Sequence, residues 1–338
     1  MMLIKNEKTG VVFVVPKINT IAKVGKKFLA GTDIGIFSLN IDVENGYVET
    51  IYDEILNSYV FTPSKIPIKH EKFLGITPFN LDEIIKKFQK RINVTSIMEI
   101  NENNVLIGTG DGLVLFNLLN KKYKIYYPIN KHVTILTKDD QNKIWVGTKG
   151  GVSIYYVIEE GLKLIRHLTI HSKLPGQDIR VILPTKNKVL IGTNEGVCEI
   201  INQLLVVFEE KYDVTGGCIA PDESIWFSTK DGNLLRLNKE GKIEIFKLEK
   251  IKNIDALVST PRSIFAAGEN IDKKEVLIEI IPPEVHIYVP PTNIIDIRAL
   301  YYDDGNDLLI IGTYAFGIFV KKDDKIFGED AIHWHFGF

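Results

Sequence analysis

The stretch at residues 144 to 155, "IWVGTKGGVSIY", has a near copy at 189 to 200, "VLIGTNEGVCEI". Each reads as an apolar run, Gly-Thr, a short polar turn, a glycine and a second apolar run. Taking the Thr as a marker, the phrase returns in "FLAGTDIGIFSL" at Thr32, "VLIGTGDGLVLF" at Thr109, "IWFSTKDGNLLRL" at Thr229, "IFAAGENIDKKEVLIEI" at Gly268 and "LIIGTYAFGIFV" at Thr313. From Thr109 onward the steps are 39, 45, 36, 39 and 45 residues. A period of that size is the signature of a β-propeller, in which each repeat supplies one four-stranded sheet.

The spacing predicts an all-β fold and a single β-propeller domain over 1–338, with seven or eight four-stranded blades. Between Thr32 and Thr109 the step is 77 residues, close to two periods, and "KFLGITPFNL" at Thr77 is a degenerate copy. It is followed by "LDEIIKKFQKRI", whose Leu81, Ile84, Ile85, Phe88 and Ile92 fall at helical spacing. Residues 56–92 therefore read either as a degenerate eighth blade or as a partly helical insertion in a seven-bladed ring, and the marker count favours eight. The apolar run within 11–16 is a candidate ring-closing strand that would add an outer edge to the last blade, a place for which the tail "AIHWHFGF" competes.

The recurring phrase is scaffold. In the unit around Thr148 the strands read "VTILTK", "IWVGT", "GVSIYYV" and "LKLIRHLTI". Ile144 and Trp145 are expected between blades, Gly147 where backbones approach closely, and the Thr148 hydroxyl in a local bond at the strand end. The following glycine, at Gly35, Gly112, Gly151, Gly196, Gly232 and Gly317, supplies the positive φ of a tight hairpin. "GTGDG" is no phosphate loop, because a strand and not a helix follows it.

At "HSKLPGQDIRVILPTKNKVLIGTNEGVCEI" the chain resembles the two-component regulator propeller repeats found in the sensor portions of hybrid histidine kinases. "HVTILTKDDQNKIWVGTKGGVSIY" and "VTSIMEINENNVLIGTGDGLVLF" fit the same repeat. The resemblance implies a propeller with a generic capacity to bind. In that family the ring commonly senses an extracellular ligand and precedes an immunoglobulin-like domain, a membrane span and a kinase. This sequence departs from that arrangement in carrying the ring alone.

Charge and composition narrow the partners. The formal net charge is −2, so no global field favours nucleic acid or an anionic membrane. No run approaches the ~18 apolar residues of a membrane span, and the N-terminal apolar run is too short for a signal segment. With Met1 as the native start, the expected location is cytoplasmic. Cys198 and Cys218 have no CxxC or Cys/His neighbour, so neither a zinc site nor a disulfide framework is expected.

A search for chemistry returns little. His167 and His171 read as polar positions near the end of an outer strand, and His333 and His335 flank Trp334 without further ligands. The run Asp303, Asp304, Gly305, Asn306, Asp307 lacks the alternation and distal Glu of a calcium loop and reads as a hairpin turn. No GxSxG or HExxH motif is present. The reading is accordingly non-enzymatic, with no catalytic residue, metal or cofactor assigned.

Binding is expected at one face, where the links between blades and the turns between second and third strands emerge together. That face receives Arg91, Tyr127, His132, Gln177, Arg180, Tyr212, Asp213, Tyr288, Tyr314 and Phe316. Aromatic and Arg side chains supply large contact area at modest entropic cost. Tyr314 and Phe316 stand where other units put charged or amide residues, so they either pack on a neighbouring loop or contact a partner. The leading reading is a binding module, either a protein-interaction scaffold or a ligand-sensing propeller, whose partner is a protein or a small ligand, carbohydrate among them. A sensor domain serving a kinase on a separate chain is not separable from a scaffold by sequence. The alternative is a propeller hydrolase or lyase acting on a sugar or sugar acid at the channel mouth, which a cluster of three or more His or carboxylate groups there would favour.

Overall fold

The computed structural model describes residues 2–5, 12–15, 17–33, 35–52, 93–120, 122–201, 204–207, 212–238, 241–281, 284–288, 296–314, 317–323 and 325–329. Among the described residues are seven four-stranded antiparallel sheets, each built from four consecutive strands. They form blades 1 to 7 over 18–52, 94–126, 133–168, 179–207, 214–247, 251–288 and 297–329. No helix among the described residues is long and apolar enough to cross a membrane.

The first strand of each blade lies innermost. These strands are Ile18–Val24, Val94–Asn101, Val133–Lys138, Ile179–Pro184, Val214–Ile219, Ile251–Ser259 and Ile297–Asp303. Each packs on the next, and that of blade 7 packs on that of blade 1, which closes the ring. Blade 1 meets blade 2 directly through Ile18–Val24 and Val94–Asn101. That contact leaves no room for a sheet between them, so the count of eight is corrected to seven blades. Residues 56–92, whose Thr77 phrase raised the count, lie outside the described residues.

The candidate closing strand also finds another partner. Val12–Val15 pairs antiparallel with Met2–Lys5 in a sheet of two strands. Blade 7 fills its own fourth place with Lys325–Glu329, paired to Ile318–Lys322. The seam between blades 7 and 1 is held instead by packing and charge. Ile18, Phe37 and Val48 meet Leu308, Ile310 and Val320 there, and Lys23 Nζ lies 2.6 Å from Asp303 Oδ1. Asp303 is buried, so the run at Asp303–Asp307 is a hairpin turn whose first carboxylate belongs to Lys23 and to Asn306.

The core is divided in the same way. Among the described residues there are seven apolar clusters, one at each seam between adjacent blades. Neighbouring residues of one strand serve opposite seams, as side chains alternating across a pleated sheet must. Ile144 faces blade 2, whereas Trp145 faces blade 4. Cys198 and Cys218 are free and lie in different seams, and burial pushes both thiols up to about 12.

Gly147 shows why the phrase needs its glycine. A Cβ there would stand 2.6 Å from Ile135 Cγ2 and 2.8 Å from Ile179 Cγ2, the latter on the inner strand of blade 4. The missing side chain is the socket into which the next blade's first inner residue seats. Thr148, fully buried, donates through Oγ1 to Gly151 O at 2.7 Å and accepts from Gly150 N at 3.1 Å, fixing the turn. Gly151 takes the positive φ, 123°, and a Cβ there would collide with the Leu168 carbonyl oxygen. The same Thr bond recurs at Thr32, Thr109, Thr193 and Thr313.

Candidate functional site

Strand pairing marks one corresponding position in every blade, with a second slip in blade 2 after Glu99 and in blade 6 after Ile251. The register between first and second strands slips after Ile18, Val94, Val133, Ile179, Val214, Ile254 and Ile297. In each case one residue is left as a β-bulge: Asn19, Thr95, Thr134, Arg180, Thr215, Asp255 and Arg298. A bulge removes a residue from the ladder and re-aims its side chain, and such bulges gather near functional sites. Here seven of them stand around the axis, at the end of the ring that also carries the blade-to-blade links and the Thr-Gly turns.

The residue before the bulge and the bulge residue contrast sharply. Ile18, Val94, Val133, Ile179, Val214, Ile254 and Ile297 are all β-branched and buried, each seated in a seam. The seven bulge residues are all polar: Thr in blades 2, 3 and 5, Arg in blades 4 and 7, Asn in blade 1 and Asp in blade 6. The first set makes the ring; the second forms a rim of varied chemistry.

The rim is itself bonded in part. Asn19 Nδ2 donates to Val94 O at 2.8 Å and to Asn93 Oδ1 at 2.7 Å. Thr215 Oγ1 donates to Ile254 O at 2.6 Å, so a bulge side chain satisfies the next blade's unpaired inner edge. Arg298 bridges Asp255, at 3.4 Å, and Asp296, at 2.5 Å. Arg180 pairs with Asp178 at 3.0 Å and is exposed. The buried hydroxyls of Thr95 and Thr134 and one oxygen of Asp178 have no hydrogen-bond partner, so blades 2 to 4 hold the least satisfied arc of the rim.

The sequence candidates distribute unevenly over this face. Arg180 alone is a rim bulge. Tyr127 is 72% exposed on the link into blade 3, which Ile129 N anchors to the buried Ser153 Oγ at 2.9 Å. Ser153 also bonds His167 Nδ1 at 2.9 Å, so His167 supports this link. His132 is half-buried beside the rim; burial, then the charge of Lys149, lowers its pKa. Gln177 is exposed on the link into blade 4. Tyr212 and Asp213 join Lys230 and Asp231 around a shallow recess of about 300 Å³ on blade 5, although Tyr212 also packs against the seam between blades 4 and 5. Tyr314 packs against the seam between blades 7 and 1, with Lys17 Nζ 5.6 Å from its ring centroid. Tyr288 ends the outer strand of blade 6. Arg91 and Phe316 lie outside the described residues.

Sequence reading missed Asn19, Thr95, Thr134, Thr215, Asp255 and Arg298. The signal was present as a β-branched residue followed by a polar one, at the head of six inner strands and three residues into that of blade 6: "IN", "VT", "VT", "IR", "VT", "ID" and "IR".

At blades 6 and 7 the rim carries its densest charge. Glu275 follows the turn of blade 6, and its Oε1 accepts from Ile297 N of blade 7 at 2.8 Å. Burial, with Asp296 and Asp255 adding to it, pushes the Glu275 carboxyl up to about 7. Burial also raises Asp255, against the lowering charge of Arg298. Among the described residues no group of three or more His, Cys, Asp or Glu side chains is placed to hold a metal ion.

No protein-family model matches the sequence, and no curated protein matches it significantly. Solved structures do match over the whole ring. The extracellular domain of a putative hybrid two component system from B. thetaiotaomicron is 17% identical with a TM-score of 0.64; the match covers 92% of this chain and 38% of that one. The chain therefore spans little more than a third of that structure. Catalytically inactive virginiamycin B lyase from Staphylococcus aureus with quinupristin is 13% identical with a TM-score of 0.59, covering 96% of this chain and 97% of the lyase. The WD40 repeats of RRP9 are 10% identical with a TM-score of 0.60, covering 93% and 90%. At these identities the likenesses establish the propeller fold.

Proposed function

We propose that this chain is a non-catalytic binding propeller, a protein-interaction scaffold or ligand-sensing ring, whose recognition surface is the rim of bulge residues with the links around it. The observation that carries the reading is the split between adjacent positions: seven buried β-branched residues build the ring, and seven polar residues of four kinds, Asn, Thr, Arg and Asp, stand beside them around its opening. Packing demands the uniformity of the first set, whereas nothing in packing demands the variety of the second. A rigid scaffold that displays varied polar groups suits recognition. Similarity to sensor domains and to WD40 repeats supports binding as the working mode. The resemblance to two-component regulator propeller repeats supports sensing as its form. A cytoplasmic location belongs to the same proposal, supported by two buried free thiols, and fractionation of source cells tests it.

The test is affinity capture from source lysate with the immobilised ring, comparing wild type with a Tyr127→Ala/Arg180→Ala variant by mass spectrometry. A partner held by the first and lost by the second, at unchanged melting temperature, supports the assignment. A partner held equally by both removes the rim from it.

A second reading has one specific support. Asp255 and Asp296 flank Arg298 at the rim, and Glu275, bonded to Ile297 N, feels the charge of both carboxylates, so three carboxylates stand near the opening as a propeller hydrolase or lyase would need; a lyase shares the fold. Incubation with uronic-acid oligosaccharides, followed by detection of unsaturated products, tests it. Turnover that Glu275→Gln abolishes would displace the binding reading.

A further inference from the structure

Four carboxylates and two cations meet where blade 6 joins blade 7. Glu269 stands directly opposite Glu275 across the second and third strands of blade 6, a like-charge pair that a sheet disfavours. Lys252, on the inner strand, is held by Glu269 at 2.8 Å. Arg298 is held by Asp296 and, less closely, by Asp255, whose other oxygen accepts from Asn253 Nδ2 at 2.7 Å. Both cations are thus engaged before Glu275 is counted. The nearby turn adds only exposed Asp272, Lys273 and Lys274, and residues 289–295, which link the two blades, contain no titratable side chain.

We propose that this seam is a proton-operated clasp: with Glu275 protonated, Arg298 stays clamped between Asp296 and Asp255 at the rim, and when Glu275 ionises it draws Arg298 away from Asp255. The geometry gives the order of events. A third negative charge placed beside Asp296 and Asp255 in partly buried surroundings has no cation of its own, and an uncompensated buried charge is strongly unfavourable. Arg298 is held by the same two carboxylates whose charges act on Glu275, and it has a yielding contact, since its bond to Asp255 is the longer of its two at 3.4 Å. Moving it compensates Glu275 and leaves Asp255, a rim residue, without its counter-charge. The chemistry of the opening then changes with one proton. The burial that raises Glu275 to about 7 puts this change in the neutral range. The inference concerns the ring itself and stands whether or not the rim binds a partner.

Hydrogen exchange on the intact protein, read by mass spectrometry and corrected for chemical exchange rates, tests the clasp through peptides spanning 296–303. Measurements a unit below and a unit above the titration, at pH of about 6 and about 8, should show several-fold faster exchange at the higher pH in wild type and no change in Glu275→Gln. An equal rise in both proteins, or a rise in neither, overturns the proposal. Should Glu275→Gln fail to fold, carboxyl-¹³C glutamate NMR of the wild type decides. A resonance titrating near 7 whose midpoint moves in Arg298→Lys supports the clasp, and all glutamates titrating near the ordinary 4.5 sinks it.

Discussion

Val133 and Thr134 are neighbours in sequence and opposites in role. Val133 is fully buried, its Cγ1 lying where a Cβ on Gly108 of blade 2 would be. Thr134 is the bulge, only partly buried, with a hydroxyl that no group in the protein engages. The same pair recurs as Val94 with Thr95 and Ile179 with Arg180. The comparison shows that a repeat can keep its packing constraint and its functional freedom one residue apart, because the bulge detaches the second residue from the register that fixes the first.

The sharpest way to break this comparison is to fill a socket. Gly147→Val places a branched side chain where Ile135 and Ile179 already meet, and should cost about 3 kcal/mol or more in urea unfolding, at the upper end for overpacking. Gly25→Ala, with nothing within 4 Å, is the control and should cost about 1 kcal/mol or less, mainly from its left-handed φ. Next comes the closing seam. Asp303→Ala strands Lys23 and should cost about 1–3 kcal/mol, the loss of a charged hydrogen bond. Smaller again, Thr148→Val removes two turn bonds at constant volume, for about 1–2 kcal/mol.

A further effect is one of pH. The folded value of Glu275 lies above its ordinary 4.5, so the fold binds this proton more tightly than the unfolded chain does. Its contribution to stability therefore grows as pH falls from above about 7 toward 4.5, and shrinks as pH rises through 7. The melting temperature of wild type minus that of Glu275→Gln, followed across this window, should decline as pH rises.

Much of the fold was legible because its constraint is local and repeated. Gly-Thr and the later glycine announce a strand end, a turn and a seam, and six such turns behave as read, with positive φ at Gly35, Gly112, Gly151, Gly196, Gly232 and Gly317. The blade count was less legible. The Thr77 phrase has the right letters, but only the direct contact of Ile18–Val24 with Val94–Asn101 shows that no blade stands between them. Closure by an added strand rested on an apolar run, and such a run does not name its partner; Val12–Val15 pairs with Met2–Lys5.

The candidate site was read at the level of a face and not of residues. Arg180 was found because arginine is conspicuous, whereas Thr95 and Thr134 are ordinary strand residues until the register slip is seen. Tyr212 was read as a contact and Tyr314 as either packed or contacting; both pack against seams, since an aromatic ring on a link or turn can bury its body while its edge stays at the surface.

The most direct test of the account substitutes the three adjacent pairs on blades 2 to 4 and follows thermal unfolding. Val94→Ala, Val133→Ala and Ile179→Ala should each lose about 2–3 kcal/mol, as buried aliphatic truncations do. Thr95→Val and Thr134→Val, which exchange a buried unpartnered hydroxyl for a methyl group, should lose nothing and gain up to about 1–2 kcal/mol, and Arg180→Ala should stay within about 0.5 kcal/mol of wild type. Comparable losses at both positions would contradict the division between ring and rim.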